Sequence, residues 1–236
     1  MEQILQTFTR EAQSLYEGDL LAIVLYGSAA TGEHVPGASD INVAMIVREV
    51  TPALLRKAAG RIGAWRRQGF ATPLFFDPES LQSSLDVFPI EFLDMQERHR
   101  ILWGQDLLAP LRIGRGNLRL QCEQELRGKL LRLRHTYIES AESPDALRRV
   151  LLMAAGSLLV LVRSLLRLAG QNPGGSAEEV LARAEARFEA STAALRRVYQ
   201  VKRGEIRVAG SGLDALFQDV IEEVQGLVRV VDGLRA

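Results

Sequence analysis

Apolar residues recur at three- and four-residue intervals through Ile4, Phe8, Ala12 and Leu15, the spacing of a helix with one buried face. The pattern then changes. "LLAIVLY" (20–26) and "INVAMIV" (41–47) are continuous apolar runs of strand length, and "TPLFF" (72–76) and "FPIEFLDM" (88–95) predict a third and a fourth strand. Between the second and third runs, "TPALLRKAAGRIGAWRRQG" begins with Thr-Pro and ends with Gly, the punctuation of one helix. Strands that are apolar throughout belong to a sheet covered on both faces. The alternation of helix and strand predicts an α/β (α+β) unit with a mixed sheet.

After about residue 114 the strand signals stop. Cys122, Leu126, Leu130, Leu133 and Tyr137 form one stripe on a long helix, and a second helix runs from Pro144 to Gly170. The second is apolar almost all round, which predicts the centre of a helical bundle. Its most apolar part, 150–162, is too short to span a bilayer and is flanked by Arg148, Arg149, Arg163 and Arg167. "QNPGGSAEE" breaks the pattern, with Ser176 as N-cap and Glu178 and Glu179 in the first turn of the next helix. Leu213, Leu216, Val220, Val224, Leu227 and Val231 predict a last helix. Two domains are expected, 1–113 and 114–236, meeting where the periodicity changes.

A chain of 236 residues, 47% hydrophobic and 25% charged, is long enough for two such cores. Its 29 basic and 29 acidic residues cancel, which argues against adhesion to nucleic acid or membrane by bulk charge, so any phosphate site must be local. The first 113 residues carry 10 basic against 14 acidic side chains and the remainder 19 against 15, about −4 and +4. Halves so charged attract one another, or face each other across a phosphate-holding cleft. A single cysteine, Cys122, excludes an internal disulfide, and the N-terminal stretch lacks a signal pattern; both fit the cytoplasm. Cys122 lies on an apolar stripe and reads as buried and inert, and Trp65 and Trp103 as core residues. His99 and His135 sit among arginines on what read as solvated helix faces, and His34 in a Gly-rich loop. Nothing excludes a homo-oligomer.

The chemistry concentrates in "VLYGSAATGEHVPGASDINVAMIV" (24–47). Gly27-Ser28 closes one apolar run, 11 residues intervene, and Asp40-Ile41-Asn42-Val43 opens the next. This arrangement resembles the signature of the DNA polymerase beta nucleotidyltransferase superfamily, which includes kanamycin nucleotidyltransferase and the minimal nucleotidyltransferases. The resemblance covers roughly residues 1 to 108. It implies a nucleotidyltransferase fold and transfer of a nucleoside monophosphate from a nucleoside triphosphate, with magnesium ions held by converging carboxylates. In that reading Gly27, Ser28 and Ser39 bind nucleotide, Asp40, Asn42 and Glu91 hold metal, and Asp40 and Glu91 are catalytic. Residues two apart on a strand share a face, so positions 40 and 42 aim together. Gly27 lets the backbone approach phosphates, and the Ser28 hydroxyl and the amides of a following helix can bind their oxygens.

The third carboxylate of the pattern is expected on another strand. Glu91, between Ile90 and Phe92, supplies it if 88–95 is extended, sharing a face with Leu93 and pointing to Asp40; Asp94 is the rival. Asn42 departs from the pattern, which has Asp or Glu there. It keeps a carbonyl oxygen for coordination but removes a negative charge. Two functions stay open: nucleotidyl transfer to an unknown acceptor, a small molecule or a protein, or a catalytically silent relative that binds a ligand or partner. An RNase in the helical half, with Arg four to six residues before His, is excluded, because residues 128–131 before His135 read "GKLL".

Overall fold

The structure, a computed structural model, describes residues 1–32, 34 and 39–234. It divides into two compact units, Met1–Ile113 and Gly114–Ala236.

The first unit is built on a four-stranded mixed sheet of β1 (Leu20–Tyr26), β2 (Asn42–Val47), β3 (Leu74–Phe76) and β4 (His99–Gly104), in the order β3-β2-β1-β4. β1 pairs antiparallel with both β2 and β4, and β2 pairs parallel with β3. On one face, α1 (Glu2–Tyr16) lays Leu5, Phe8, Ala12 and Tyr16 against Ile23, Leu25, Val43 and Met45. On the other, Ala22, Val24, Ala44 and Ile46 meet Leu81, Phe92, Met95 and Leu108. Two covered faces explain why both central strands are apolar without alternation.

The segment 51–69 forms two helices rather than one: α2 (Pro52–Ala59), whose N-cap Thr51 accepts from Leu54 N at 3.2 Å, and α3 (Ile62–Arg67). Gly60 closes the first, and the second carries Trp65 fully into the core, where its Nε1 donates to Glu11 at 3.1 Å. After β3 comes α4 (Pro78–Ser83), opened by a reciprocal cap. Asp77 accepts from Ser80 N at 2.7 Å, and Ser80 Oγ accepts from Asp77 N at 2.9 Å. The second oxygen of Asp77 accepts from Val50 N at 3.1 Å, fastening the chain after β2 to the end of β3.

One predicted strand is a helix. Residues 88–95 lie in α5 (Pro89–Glu97), which begins with proline at its first turn and buries Ile90, Phe92 and Met95. Short apolar runs fit either state, and proline suits the first turn of a helix because its missing N–H has no partner to lose there. The fourth strand is the following "HRILWG", so His99 stands on an edge strand and not on a helix face. β4 ends in Gly104, at φ +83, pressed on β1: a Cβ there would lie 2.1 Å from Leu21 O.

The second unit holds α6 (Arg115–Ser140), α7 (Pro144–Leu168), α8 (Ala177–Phe188), α9 (Ala193–Lys202) and α10 (Ser211–Gly233). The Ser176 cap forms as the sequence anticipates, reciprocated by Glu179. α7 is apolar round most of its surface and buries Leu147, Leu151, Ala155, Leu158 and Val162. At 25 residues it is, by length and composition, long and apolar enough to cross a membrane, which the shorter stretch read from the sequence was not; over half of that window is buried inside the fold. Two charged side chains go under with the apolar ones. Arg163, 2% exposed, donates to Pro173 O and Gly175 O at 2.5 and 2.8 Å; Glu223, 8% exposed, accepts from Ser191 Oγ, Ala194 N and Leu195 N and so caps α9.

Gly104→Ala should cost more than about 2 kcal/mol in chemical denaturation, because both the left-handed backbone and the contact with Leu21 oppose a methyl group. An unchanged midpoint would mean that β4 does not close on β1 in this way. The amides bonded to Asp77, Ser80's first, hold its carboxyl below the ordinary range. A depressed carboxyl stabilises the fold above its unfolded value of about 4, and that contribution is lost as pH falls through the folded value. The melting-temperature gap between wild type and Asp77→Asn should therefore be widest near neutrality and narrow below about pH 4.

Candidate functional site

The register of the sheet assembles the site. Tyr26, the last residue of β1, pairs with Asn42, the first of β2, and with His99, the first of β4. The chain leaves β1 through Gly27–Ala29, a single turn of 3-10 helix, and Gly27 N donates to Arg98 O at 3.0 Å. The helix expected after Gly-Ser is thus three residues long, too short to present the dipole of a full helix. Gly27 sits at φ +73, and a Cβ on it would lie 3.4 Å from the amide nitrogen of Asn42. Two of the predicted site residues therefore lie side by side at the strand ends.

Asp40 and Asn42 flank Ile41, which is held extended by Ile41 N to Gly69 O at 2.9 Å and Ala71 N to Ile41 O at 3.0 Å. Ile41 is buried with the α1-side core, and strand alternation turns its neighbours to the other face, the face of Ala44, Ile46 and α5. Asp40 is exposed; Asn42, Ser28 and Ser39 are half-buried.

α5 supplies what the sequence places on a strand. Glu91 lies exposed in its first turn, and the strand alternation that was to aim it at Asp40 does not exist. Asp94 is the acid tied to the site. Tyr26 is pushed up to about 12, first by burial and then by the negative charge of Asp94. One turn on, Arg98 faces Asp94 at 3.8 Å with both side chains largely buried, at 12% and 14% exposure. The Arg98 guanidinium also donates to Thr31 Oγ1 at 3.0 Å, so this residue holds the turn from both ends: by its carbonyl at Gly27 and by its side chain at Thr31. Beyond it His99 Nε2 meets Asp106 at 3.1 Å. Arg98 escapes sequence reading because only the pairing of β4 with β1 brings it to the Gly-Ser turn.

The motif implies a metal held by converging carboxylates. Asp40 and Asn42 offer one carboxylate and one amide oxygen, and among the described residues no three His, Cys, Asp or Glu side chains are grouped to hold an ion. That set does not fit a two-ion cage. A concavity of about 950 Å³ in the helical unit is lined by Arg187, Arg197 and Arg229 with Asp219, Glu222 and Glu223, charges of both signs, and its buried acid is committed to capping α9.

No protein-family model and no curated protein matches the chain. Among solved structures the fold is similar to that of spectinomycin adenyltransferase AAD(9) from Enterococcus faecialis with ATP and spectinomycin, with a TM-score of 0.58 and 11% identity over 95% of this chain and 99% of that one. A toxin-antitoxin structure with AMP-PNP aligns over 58% of this chain and 98% of that chain at 16% identity and a TM-score of 0.32. The first likeness establishes a nucleotidyltransferase fold, with the sheet in the N-terminal half and helices after it.

Gly27→Ala should lower stability by about 1 kcal/mol, the cost of a left-handed backbone for a residue with a Cβ, without unfolding the chain, since the new methyl meets Asn42 at ordinary contact distance. Equal stability of the two proteins in denaturant titration would contradict the turn described.

Proposed function

We propose that the N-terminal unit binds a nucleoside triphosphate with its phosphates on the Gly27–Ala29 turn and passes the nucleotidyl group to a hydroxyl acceptor. The observation that carries this reading is the placing of the Gly27 turn beside Asn42 by the pairing of β1 with β2. Gly27 has no side chain and a backbone conformation that favours glycine, which lets the Gly27–Ala29 turn sit against Asn42 two residues from Asp40. The likeness of fold to an adenyltransferase with ATP supports it.

In such a transfer the acceptor oxygen attacks the α-phosphorus, forming a new O–P bond, while the bond to the bridging oxygen breaks and pyrophosphate leaves with its electron pair. Asp40, exposed at the strand end, is the carboxylate placed to take the hydroxyl proton. Glu91, on the first turn of α5, is the second candidate acid, and Ser28 and Ser39 supply hydroxyls at the two ends of the intervening segment. Magnesium, when bound, would add positive charge at the phosphates; Asp40 and Asn42 are the residues that would face it. The acceptor is a small molecule or a protein side chain, and the cytoplasm is the proposed setting.

Asn42 favours a second reading, in which the fold holds nucleotide without transferring it, because the second carboxylate of the motif is absent. Incubation with ATP and candidate hydroxyl acceptors, with pyrophosphate release as the readout, separates the two. Transfer predicts release by wild type that Asp40→Ala abolishes while nucleotide binding survives. Binding without release for every acceptor leaves the silent reading. In calorimetry Asn42→Asp should strengthen magnesium-ATP binding by more than the ~1 kcal/mol of an exposed ion pair, since the new carboxylate is half-sheltered.

A further inference from the structure

We infer that the concavity of the helical unit is a binding site for a short peptide with free termini, its ammonium group held by Asp219 and Glu222 and its carboxylate by Arg229. The site lies wholly within the second unit and does not depend on the nucleotide-binding reading.

The first observation is charge that finds no partner. Arg127, Arg183 and Arg196 of the same unit reach a carboxylate or a carbonyl at 2.8, 2.6 and 2.6 Å. Among the described residues, Arg197, Arg229, Asp219 and Glu222 make no hydrogen bond or ion pair, although both signs line one space of about 950 Å³. Arg187, at its rim, lies over the Phe188 ring at 5.8 Å, and Glu189 closes α8 in a left-handed conformation. Opposite charges that share a concavity without meeting are held apart by the walls that carry them.

Those walls are fixed by buried groups. Glu223 on α10 accepts from Ser191 Oγ, Ala194 N and Leu195 N at 2.8, 2.9 and 3.0 Å, and Val198 and Val201 lie beside Leu213 and Leu216, so α9 runs antiparallel along α10. Thr192 Oγ1 donates to Leu181 O at 3.2 Å and ties the same corner to α8. A concavity framed in this way is formed before a ligand arrives. Gly226 keeps its floor open. A glycine inside a helix weakens it, and no neighbour requires this one: a Cβ would meet only the Arg229 guanidinium, at 3.9 Å.

The spacing on α10 sets the ligand. Glu222, Gly226 and Arg229 stand at i, i+4 and i+7 on one face, and Asp219 lies a turn before Glu222. At 1.5 Å per residue the two acids precede Arg229 by about 10–15 Å. A ligand that satisfies both ends is therefore dipolar, with its cationic and anionic groups that far apart. An extended chain spans about 3.3–3.6 Å per residue, so the two termini of a tetrapeptide match the separation. A carboxylate fits the paired donors of a guanidinium, and an ammonium group has three donors to share between two carboxylates. Arg197, on the α9 wall, adds donors for the peptide's carbonyl groups.

The test is calorimetric titration of tetra-alanine into the full chain, beside the same peptide acetylated at its N-terminus or amidated at its C-terminus. Wild type should bind the free peptide saturably and each blocked form about fivefold or more weakly. Arg229→Gln should weaken the free peptide by about the same factor and leave the amidated form unchanged, and the double variant Asp219→Asn, Glu222→Gln should do so for the acetylated form. All three side chains are exposed, so these proteins fold. Gly226→Leu, which fills the floor, should abolish binding. Absence of saturable binding up to about 10 mM peptide overturns the inference. So does binding that no substitution changes, and so do blocked peptides that bind as well as the free one, which would identify the occupant as an internal chain segment.

Discussion

Ala22, Ile23, Val24 and Leu25 are wholly enclosed in the N-terminal unit, and a strand with no solvent-facing side chain has no place along its length for polar chemistry. Polar groups must collect where such a strand ends. The carboxyl end of β1 lies between the starts of β2 and β4 because both neighbours run antiparallel to it, so Gly27, Asn42, Arg98 and His99 gather at one edge of the sheet although they come from three separate stretches of sequence. Packing on both faces thus sets the location of the site before any functional residue is considered.

The parts of this arrangement that rest on long or unambiguous periodicity are legible from the chain. α1, the two central strands, α6, α7 and α10 each repeat their pattern over enough residues to fix their type. What escapes is short or polar. The eight residues 88–95 are apolar enough to read as a buried strand; Pro89, Ile90, Phe92 and Met95 are equally the first turn and buried side of a helix, which packs Phe92 on Phe76 at 5.5 Å between ring centroids. β4 hides for the opposite reason: an edge strand half exposed, carrying His99 and Arg100, offers little apolar signal. The helix over 51–69 breaks at Gly60, and α9 lacked a pattern long enough to find, although it buries Leu195, Val198 and Val201.

The site was legible to the same degree. Gly27 and Asn42 are linked by a motif within one hairpin-like stretch, and the pairing of β1 with β2 sets them side by side. The carboxylate on α5 required the element type to be right, because a helix and a strand send Glu91 and Asp94 in different directions. With the helix in place Asp94 acts on Tyr26 and stands one turn from Arg98, an i,i+4 pair that a strand could not form. Arg98 needed the register of β4 as well. Residues that depend on one local pattern are recoverable from sequence, and those that depend on two nested structural decisions are not.

Sheltered charge is committed to partners in both units. Arg163 and Glu223 in the helical unit sit deep and are spent on main-chain carbonyls and amides, where a charge satisfies groups that a loop or a helix end leaves open. Arg98, sheltered as well, is engaged by the Asp94 carboxylate and by Thr31 Oγ1, and its main-chain carbonyl holds Gly27 N. Two unit charges 4 Å apart at an effective dielectric near 20 interact by about 4 kcal/mol, several times the worth of an exposed pair. A carboxylate in place of Asn42, half-buried at the strand ends, would add an interaction of that order to any charge near the turn, so the neutrality of position 42 weighs as much as its shape.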